Sequence, residues 1–129
     1  AIQTLRPEEV YTQHGGDLNM DHVITYRATL IATRPMAGSA VKKVYAYPVA
    51  SSSEWSFGQF APAFKPNTFV DISGEYLEKK IQAMQMYESE ARPFPHPRSP
   101  EALRAQAQAW GAQVGLMAAE AFELVREIR

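Results

Sequence analysis

The order of apolar and polar residues divides the chain into short strand-like segments and longer segments with a helical period. Residues 9–13 have β-forming residues at their centre and end at a Gly-Gly pair, which predicts a strand. In residues 20–34 apolar side chains recur at i, i+3 and i+4, which predicts a helix with one buried stripe. That stripe contains Met20, Val23, Ile24, Ala28 and Ile31. Residues 42–49 form the next strand, so the segment predicts a parallel, right-handed strand–helix–strand crossover.

The rest of the chain is less regular. Residues 51–66 are polar, aromatic and Pro-rich, a loop of a length that is uncommon unless it has a function. A strand is predicted over 67–72, followed by a helix over 74–90 with Leu77, Ile81, Met84 and Tyr87 on one stripe. Three prolines exclude a helix from 92–97. Ser99 then caps a helix with Pro100 at its first position, whereas 118–128 fit both a helix and a strand.

Composition restricts the classes of function. The length of 129 residues suits a single domain, 1–129. Thirteen basic and fourteen acidic residues nearly cancel, which gives no electrostatic argument for nucleic acid or an anionic membrane. No apolar run reaches the eighteen residues of a membrane span. The absence of cysteine excludes disulfides and thiolate metal sites, and it fits a cytoplasmic location.

Polar groups that can do chemistry concentrate in residues 14–22, between the first strand and the first long helix. Loops at the carboxyl ends of strands face the ligand crevice in α/β proteins, and a helix N-terminus favours anions. His22 with its neighbour Asp21 can supply one ligand for zinc, which needs three protein ligands in a catalytic site. His14 is a possible second ligand. Solvated or capping roles are the ordinary alternatives for His22 and Asn19, and a turn role for Asp17.

The run from Val10 to His22 resembles the second conserved-motif region of the LmbE-like (PIG-L) zinc-dependent N-acetylglucosaminide deacetylases. Residues 28–35 resemble the helix that follows this motif, and Ser52-Ser-Glu-Trp55 resembles a loop of one bacterial subgroup. Pro97-Arg-Ser99 and the segment from Gly111 to Phe122 resemble the family's C-terminal part. The resemblance covers nearly the whole chain in the family's order.

The resemblance implies an α/β chain with a Rossmann-like three-layer fold, of which this chain is the C-terminal part of a mostly parallel sheet with flanking helices. It implies that His22 is a zinc ligand and that Asp21 is a neighbouring orienting group. Many relatives carry a histidine where this chain has Asn19, whose amide can donate to an oxyanion but cannot act as an acid. Tyr26 stands where a further histidine often follows.

The family's His-Pro-Asp-Asp segment, which supplies two zinc ligands and the general base, does not occur in the sequence. The only His-Pro pair is His96-Pro97, followed by Arg98. The chain begins with Ala-Ile-Gln-Thr-Leu, as if entered part-way through a fold, with an engineered or processed start as the alternative. We therefore expect the C-terminal portion of a deacetylase, inactive alone, that self-associates or pairs with a missing N-terminal half.

Three residues are assigned to the substrate. Asp17 lies in the polar turn, Trp55 could stack on a sugar ring, and Arg98 could bind an anionic group. The alternatives are a loop anchored by its aromatic residues for Trp55, and a structural tie to a carbonyl or to Glu120 for Arg98. Since the family's Ala-Glu-Ala-Phe segment is extended, we predict a strand over 119–126.

The expected function is zinc-dependent removal of an N-acetyl group from an amino sugar of the N-acetylglucosamine type. The alternative is a carbohydrate-binding or assembly remnant of the same fold without catalysis.

Overall fold

The computed structural model describes all 129 residues as a mixed α/β fold, with a four-stranded sheet and flanking helices. The helices are α1 Ile2–Leu5, α2 Met20–Ala32, α3 Glu75–Gln85 and α4 Pro100–Val114, with a short 3-10 turn at Glu54–Ser56. The strands are β1 Glu9–Gln13, β2 Lys43–Tyr47, β3 Thr68–Asp71 and β4 Ala119–Glu127. Their order in the sheet is β1-β2-β4-β3. No helix is long and apolar enough to span a membrane.

The chain divides into two compact units. The first contains Ala1–Thr68 and Phe122–Arg129, and the second contains Phe69–Ala121.

In the first unit, β1 and β2 pair in parallel from Glu9 opposite Lys43 to Gln13 opposite Tyr47. This confirms the parallel strand–helix–strand segment, because α2 connects the two strands. The last part of β4 runs antiparallel to β2 with a register shift between Val44 and Tyr45. Strand β1 lies at one end of the strand order and pairs only with β2, so one row of its backbone groups has no strand partner.

The prediction that one apolar stripe of α2 is buried is wrong. No residue of α2 is buried, and Met20, Ile24 and Ile31 are 59–67% exposed. The partly buried side chains Val23 and Leu30 lie on another side of the helix. The apolar period is therefore real, but α2 carries apolar residues on two sides, and one of them has no partner in the structure. We call Met20, Ile24, Ala28 and Ile31 the α2 outer stripe.

The second unit has a conventional apolar core. Leu77 and Ile81 of α3 pack with Ile72, Ala107 and Ala118, and Leu103 packs against them. Helix α3 is shorter than the predicted 74–90, and Tyr87 lies beyond its end and is 66% exposed, so that part of the stripe is wrong.

Helix α4 begins at the predicted residue but ends later than predicted. The Ser99 side chain accepts a hydrogen bond from the Ala102 N–H at 3.1 Å, which confirms the cap. The helix continues through Gly111, which is buried, and a Cβ there would lie 2.6 Å from the Leu116 carbonyl oxygen. Gly111 thus permits the close return of the chain toward β4. The strand predicted over 119–126 is confirmed.

Candidate functional site

The polar turn after β1 is shaped by two glycines that nothing larger could replace. A Cβ at Gly15 would lie 2.5 Å from the Tyr26 ring, and one at Gly16 would lie 2.2 Å from the Pro62 carbonyl oxygen. These contacts fix the turn against α2 on one side and against the loop from Trp55 to Phe64 on the other. Residues 17–22 follow this closely packed turn at the carboxyl end of β1.

His22 is held by a buried carboxylate. Its Nδ1 lies 2.9 Å from Oδ2 of Asp17, whose side chain is completely buried. Asp17 Oδ1 accepts a further hydrogen bond from the Ser53 hydroxyl. The Ser53 oxygen in turn accepts from the Val49 N–H at 2.8 Å. The result is a chain of hydrogen bonds from the loop backbone through Ser53 and Asp17 to His22.

This arrangement sets the tautomer of His22. A carboxylate only accepts hydrogen bonds, so the imidazole proton must be on Nδ1 when the ring is neutral. Nε2 then carries the free lone pair, and no hydrogen bond to Nε2 is present. A histidine oriented through its other nitrogen by a carboxylate is the common arrangement of metal-ligating histidines.

Ser52 also approaches the imidazole, with its Oγ 3.3 Å from Nδ1 of His22. The same oxygen lies 3.3 Å from the Asn19 N–H. A Ser-His-Asp nucleophilic triad needs serine and aspartate on opposite nitrogens of the ring. Here both lie at Nδ1, so this geometry positions the ring and does not activate Ser52 as a nucleophile.

Asn19 is the N-cap residue of α2, as predicted, but its side chain makes no capping hydrogen bond. Its side chain is exposed and its amide remains available to a ligand. Asp21 lies in the first turn of α2, where a carboxylate suits the helix dipole. It is exposed and makes no hydrogen bond or ion pair. The orienting contact expected from Asp21 is made by Asp17, which leaves both oxygens of Asp17 occupied within the protein.

His14 lies apart from this network. Its imidazole is buried, with Nε2 2.8 Å from the Pro62 carbonyl oxygen and the ring edge-on to Phe64 at 5.3 Å. Nδ1 lies 3.8 Å from a carboxylate oxygen of Glu123. With both nitrogens facing protein groups, His14 is a structural residue that ties the 57–64 loop to the end of β1.

A second carboxylate affects the neighbouring tyrosine. Burial raises the pKa of Tyr26, and the charge of Glu123 raises it further. Oε2 of Glu123 is itself buried and has no hydrogen-bond partner. Tyr26 therefore keeps its proton to a higher pH than an exposed tyrosine would.

The other two predicted substrate residues lie in different units. Trp55 is in the 3-10 turn of the first unit, two residues after Ser53, and is 42% exposed. Arg98 is in the second unit, where its guanidinium forms an ion pair with Glu90. The structural tie predicted for Arg98 thus exists, but to Glu90; Glu120 pairs with Lys80 at 2.5 Å. Substrate roles for Trp55, Arg98 and Asp17 stay predictions.

Ser52 and Ser53 were missed as site residues by sequence reasoning. Ser52 is thirty residues from His22 and Ser53 is thirty-six from Asp17, so no local spacing joins them to the turn. The run of three serines before Glu54 was the available signal, since serine hydroxyls in loops commonly bond nearby polar groups.

No group of three or more His, Asp or Glu side chains is arranged to hold a metal ion. His22 is a single candidate ligand, with donor chemistry that suits zinc.

Neither a family model nor a curated protein matches the sequence. Among solved structures, the crystal structure of the conserved protein TT1542 from Thermus thermophilus aligns with a TM-score of 0.71 and 23% sequence identity. The alignment covers 99% of this chain and 56% of that chain. The chain thus shares a fold with part of TT1542 and spans little more than half of its length.

Proposed function

We propose that the chain is the C-terminal portion of a zinc-dependent hydrolase that removes an N-acetyl group from an amino sugar. The observation that carries the proposal is the presentation of His22: Asp17 holds Nδ1 and leaves Nε2 bare at the carboxyl end of a parallel strand. The resemblance of residues 10–22 to the LmbE-like family supports the same assignment. The corresponding whole domain would have a Rossmann-like three-layer fold.

The chain's own residues divide into three roles. His22 contributes one metal ligand, and Asp17 with Ser53 positions it. The free amide of Asn19, at the N-terminal end of α2, can donate a hydrogen bond to the oxygen of the acetyl carbonyl as it gains negative charge. The exposed Asp21 adds a carboxylate beside these groups.

Zinc at such a site supplies polarisation of the acetyl carbonyl and activation of the attacking water. One imidazole cannot hold catalytic zinc, which needs three protein ligands. We propose that the others, and the general base, come from an N-terminal segment with a His-Pro-Asp-Asp sequence. Hydrolysis breaks the amide C–N bond, adds water across it, and yields acetate and a free amino sugar.

The α2 outer stripe supports a partner of this kind. Ile24 and Ala28 line an apolar groove with Val10 of β1 and Ile2 of α1. Val10 belongs to β1, whose outer edge has no strand partner. We propose that the missing segment pairs with this edge and covers these apolar side chains. A parallel strand added to β1 would end at the same edge of the sheet as His22.

The direct test is complementation. The 129-residue chain would be co-purified with an N-terminal deacetylase segment that carries His-Pro-Asp-Asp, and zinc would be measured by elemental analysis. Amine release from an N-acetylglucosaminide would be followed in the same samples. We expect bound zinc and turnover in the complex.

The matched controls are His22→Ala and His14→Ala. His22→Ala should lose zinc and turnover in a complex that still forms, whereas His14→Ala should alter stability more than zinc content. Zinc-free complex, or equal zinc in the His22→Ala complex, would refute the proposal. Turnover by the isolated chain would also contradict it.

A further inference from the structure

The loop from Trp55 to Phe64 carries exposed aromatic side chains that the proposed chemistry does not use. Phe57 is 76% exposed, Phe60 is 50% exposed and Trp55 is 42% exposed. A single exposed apolar residue needs no explanation, but three exposed aromatic side chains within six residues are a candidate binding surface.

Both ends of this loop are fixed at the candidate site. At its start, Ser52 and Ser53 bond His22 and Asp17. At its end, the Pro62 carbonyl oxygen lies 2.8 Å from Nε2 of His14. The carbonyl oxygen of Phe60 also lies against Gly16, where a Cβ would meet it at 3.0 Å. The intervening residues are therefore held beside the polar turn.

Phe57, one of the exposed aromatic residues of this loop, has an unusual backbone conformation. Phe57 has φ +50° and ψ 25°, in the left-handed region that bulky residues rarely adopt. A glycine at this position would relieve the constraint. The sequence nevertheless places Phe57 before Gly58, with its ring mostly in solvent.

The loop also has no charge. From Trp55 to Phe64 the sequence contains no acidic or basic residue, although Glu54 and Lys65 flank it. An uncharged aromatic surface favours an uncharged apolar group, because a carboxylate or phosphate there would lose water without gaining a partner.

We infer that Trp55, Phe57 and Phe60 bind the part of the substrate attached to the sugar, and that this part is uncharged and apolar. The inference rests on the proposed function for the identity of the sugar. It assigns the aglycone class, which the zinc chemistry leaves open.

The test uses ligand-observed NMR on the 129-residue chain with three probes. These are the methyl, phenyl and 4-carboxyphenyl β-glycosides of N-acetylglucosamine. We expect the phenyl glycoside to bind at least about fivefold more tightly than the methyl glycoside, since a buried ring adds apolar area and ring contacts. The carboxyphenyl glycoside should lose most of that gain.

Phe57→Gly and Phe60→Ser should each reduce the phenyl preference by about twofold or more, as expected for the loss of one ring contact. Phe57→Gly removes the ring and relieves the backbone constraint, so lost binding cannot be attributed to misfolding. The control is Phe94→Ser, a 64% exposed aromatic residue in the second unit, which should leave the preference unchanged.

Equal affinity for the methyl and phenyl glycosides, or a preference that survives both loop variants, overturns the inference. The complemented complex separates this result from the proposed function. Amine release without a phenyl preference removes the aglycone inference alone, whereas a loop-dependent phenyl preference without amine release removes the deacetylase proposal alone.

Discussion

Helices α2 and α3 show the same apolar period in the sequence but differ in how far their apolar side chains are buried. Leu77 and Ile81 of α3 are buried in the core of the second unit. The α2 outer stripe is exposed, although α2 has more apolar side chains. A helix that is apolar on two sides needs cover on both. The difference is that α3 buries its apolar residues in a core, whereas one apolar side of α2 stays exposed.

The polar contacts of the two helices differ in the same sense. On α3, Glu75 pairs with Lys79 and Glu78 with Arg104. On α2, the only ion pair is His22 with Asp17, at the N-terminal end, where Ser52 also approaches the imidazole. Helix α2 is thus held by polar contacts at its N-terminal end, where the candidate ligand His22 lies. Along its outer stripe it is exposed. The proposed N-terminal segment would account for this pattern by covering the exposed side of α2.

Truncation of one stripe residue on each helix should give the largest contrast. Ile81→Ala on α3 should lower the free energy of unfolding by about 2–5 kcal/mol, because it leaves a cavity in a packed core. Ile24→Ala on α2 should change it by no more than about 0.5 kcal/mol in a chain dilute enough to be unassociated, as at an ordinary exposed position. Denaturant unfolding of both variants measures the contrast, and equal losses would mean that the α2 stripe is already covered.

Charge on the outer stripe should weaken association. Two exposed isoleucines that become buried in an interface contribute roughly 1.5–3 kcal/mol each. Ile24→Glu/Ile31→Glu should therefore weaken self-association, or binding to the N-terminal segment, by about a hundredfold or more. Sedimentation velocity over a concentration series is the measurement.

The matched control is Tyr76→Glu, on the exposed side of α3, where no effect on association is expected. A wild-type chain that remains monomeric and also ignores the N-terminal segment would contradict this account of α2.

Removal of the Asp17 carboxylate should have a smaller effect than the changes above. It tests the polar contacts at the N-terminal end of α2. Asp17→Ala leaves the His22 N–H and the Ser53 hydroxyl without their acceptor, which should lower stability by about 1–3 kcal/mol. In the complemented complex it should also weaken zinc binding by about 10–100-fold. Competition with a zinc chelator measures the second effect, with Asp21→Ala as the comparison. Equal losses in the two variants would reassign the orienting role.

The smallest effect should come from the exposed pair of α3 and α4. The hydrogen bonds from Arg104 lower the pKa of Glu78, so this pair adds stability above the carboxyl's unfolded pKa. That contribution disappears as pH falls through the lowered folded pKa. Glu78→Gln should slightly lower the unfolding midpoint at pH 7 and leave it unchanged in strong acid. A difference that grows on acidification would contradict the assignment.

Much of the fold could be predicted from local pattern, because strands, caps and proline positions depend on neighbouring residues. The bounds of β1 and the Ser99 cap are examples. The orientation of α2 could not be predicted in this way. The spacing of apolar residues shows that a helix has an apolar side, but it does not show which of two apolar sides packs against the sheet. The role of Asp17 also depended on Ser53, which only tertiary structure brings near. Asn19 was predictable as a helix start but not as an unused cap.

We propose that Asp17 fixes His22 with Nε2 free to bind a metal, and the position of the imidazole proton reports this arrangement directly. Long-range ¹H–¹⁵N NMR of the 129-residue chain distinguishes the two neutral tautomers, with His22→Asn to assign the signals. We predict a proton on Nδ1 and a bare Nε2, and a loss of this preference in Asp17→Ala. A neutral His22 protonated at Nε2 in the unaltered chain would contradict the account.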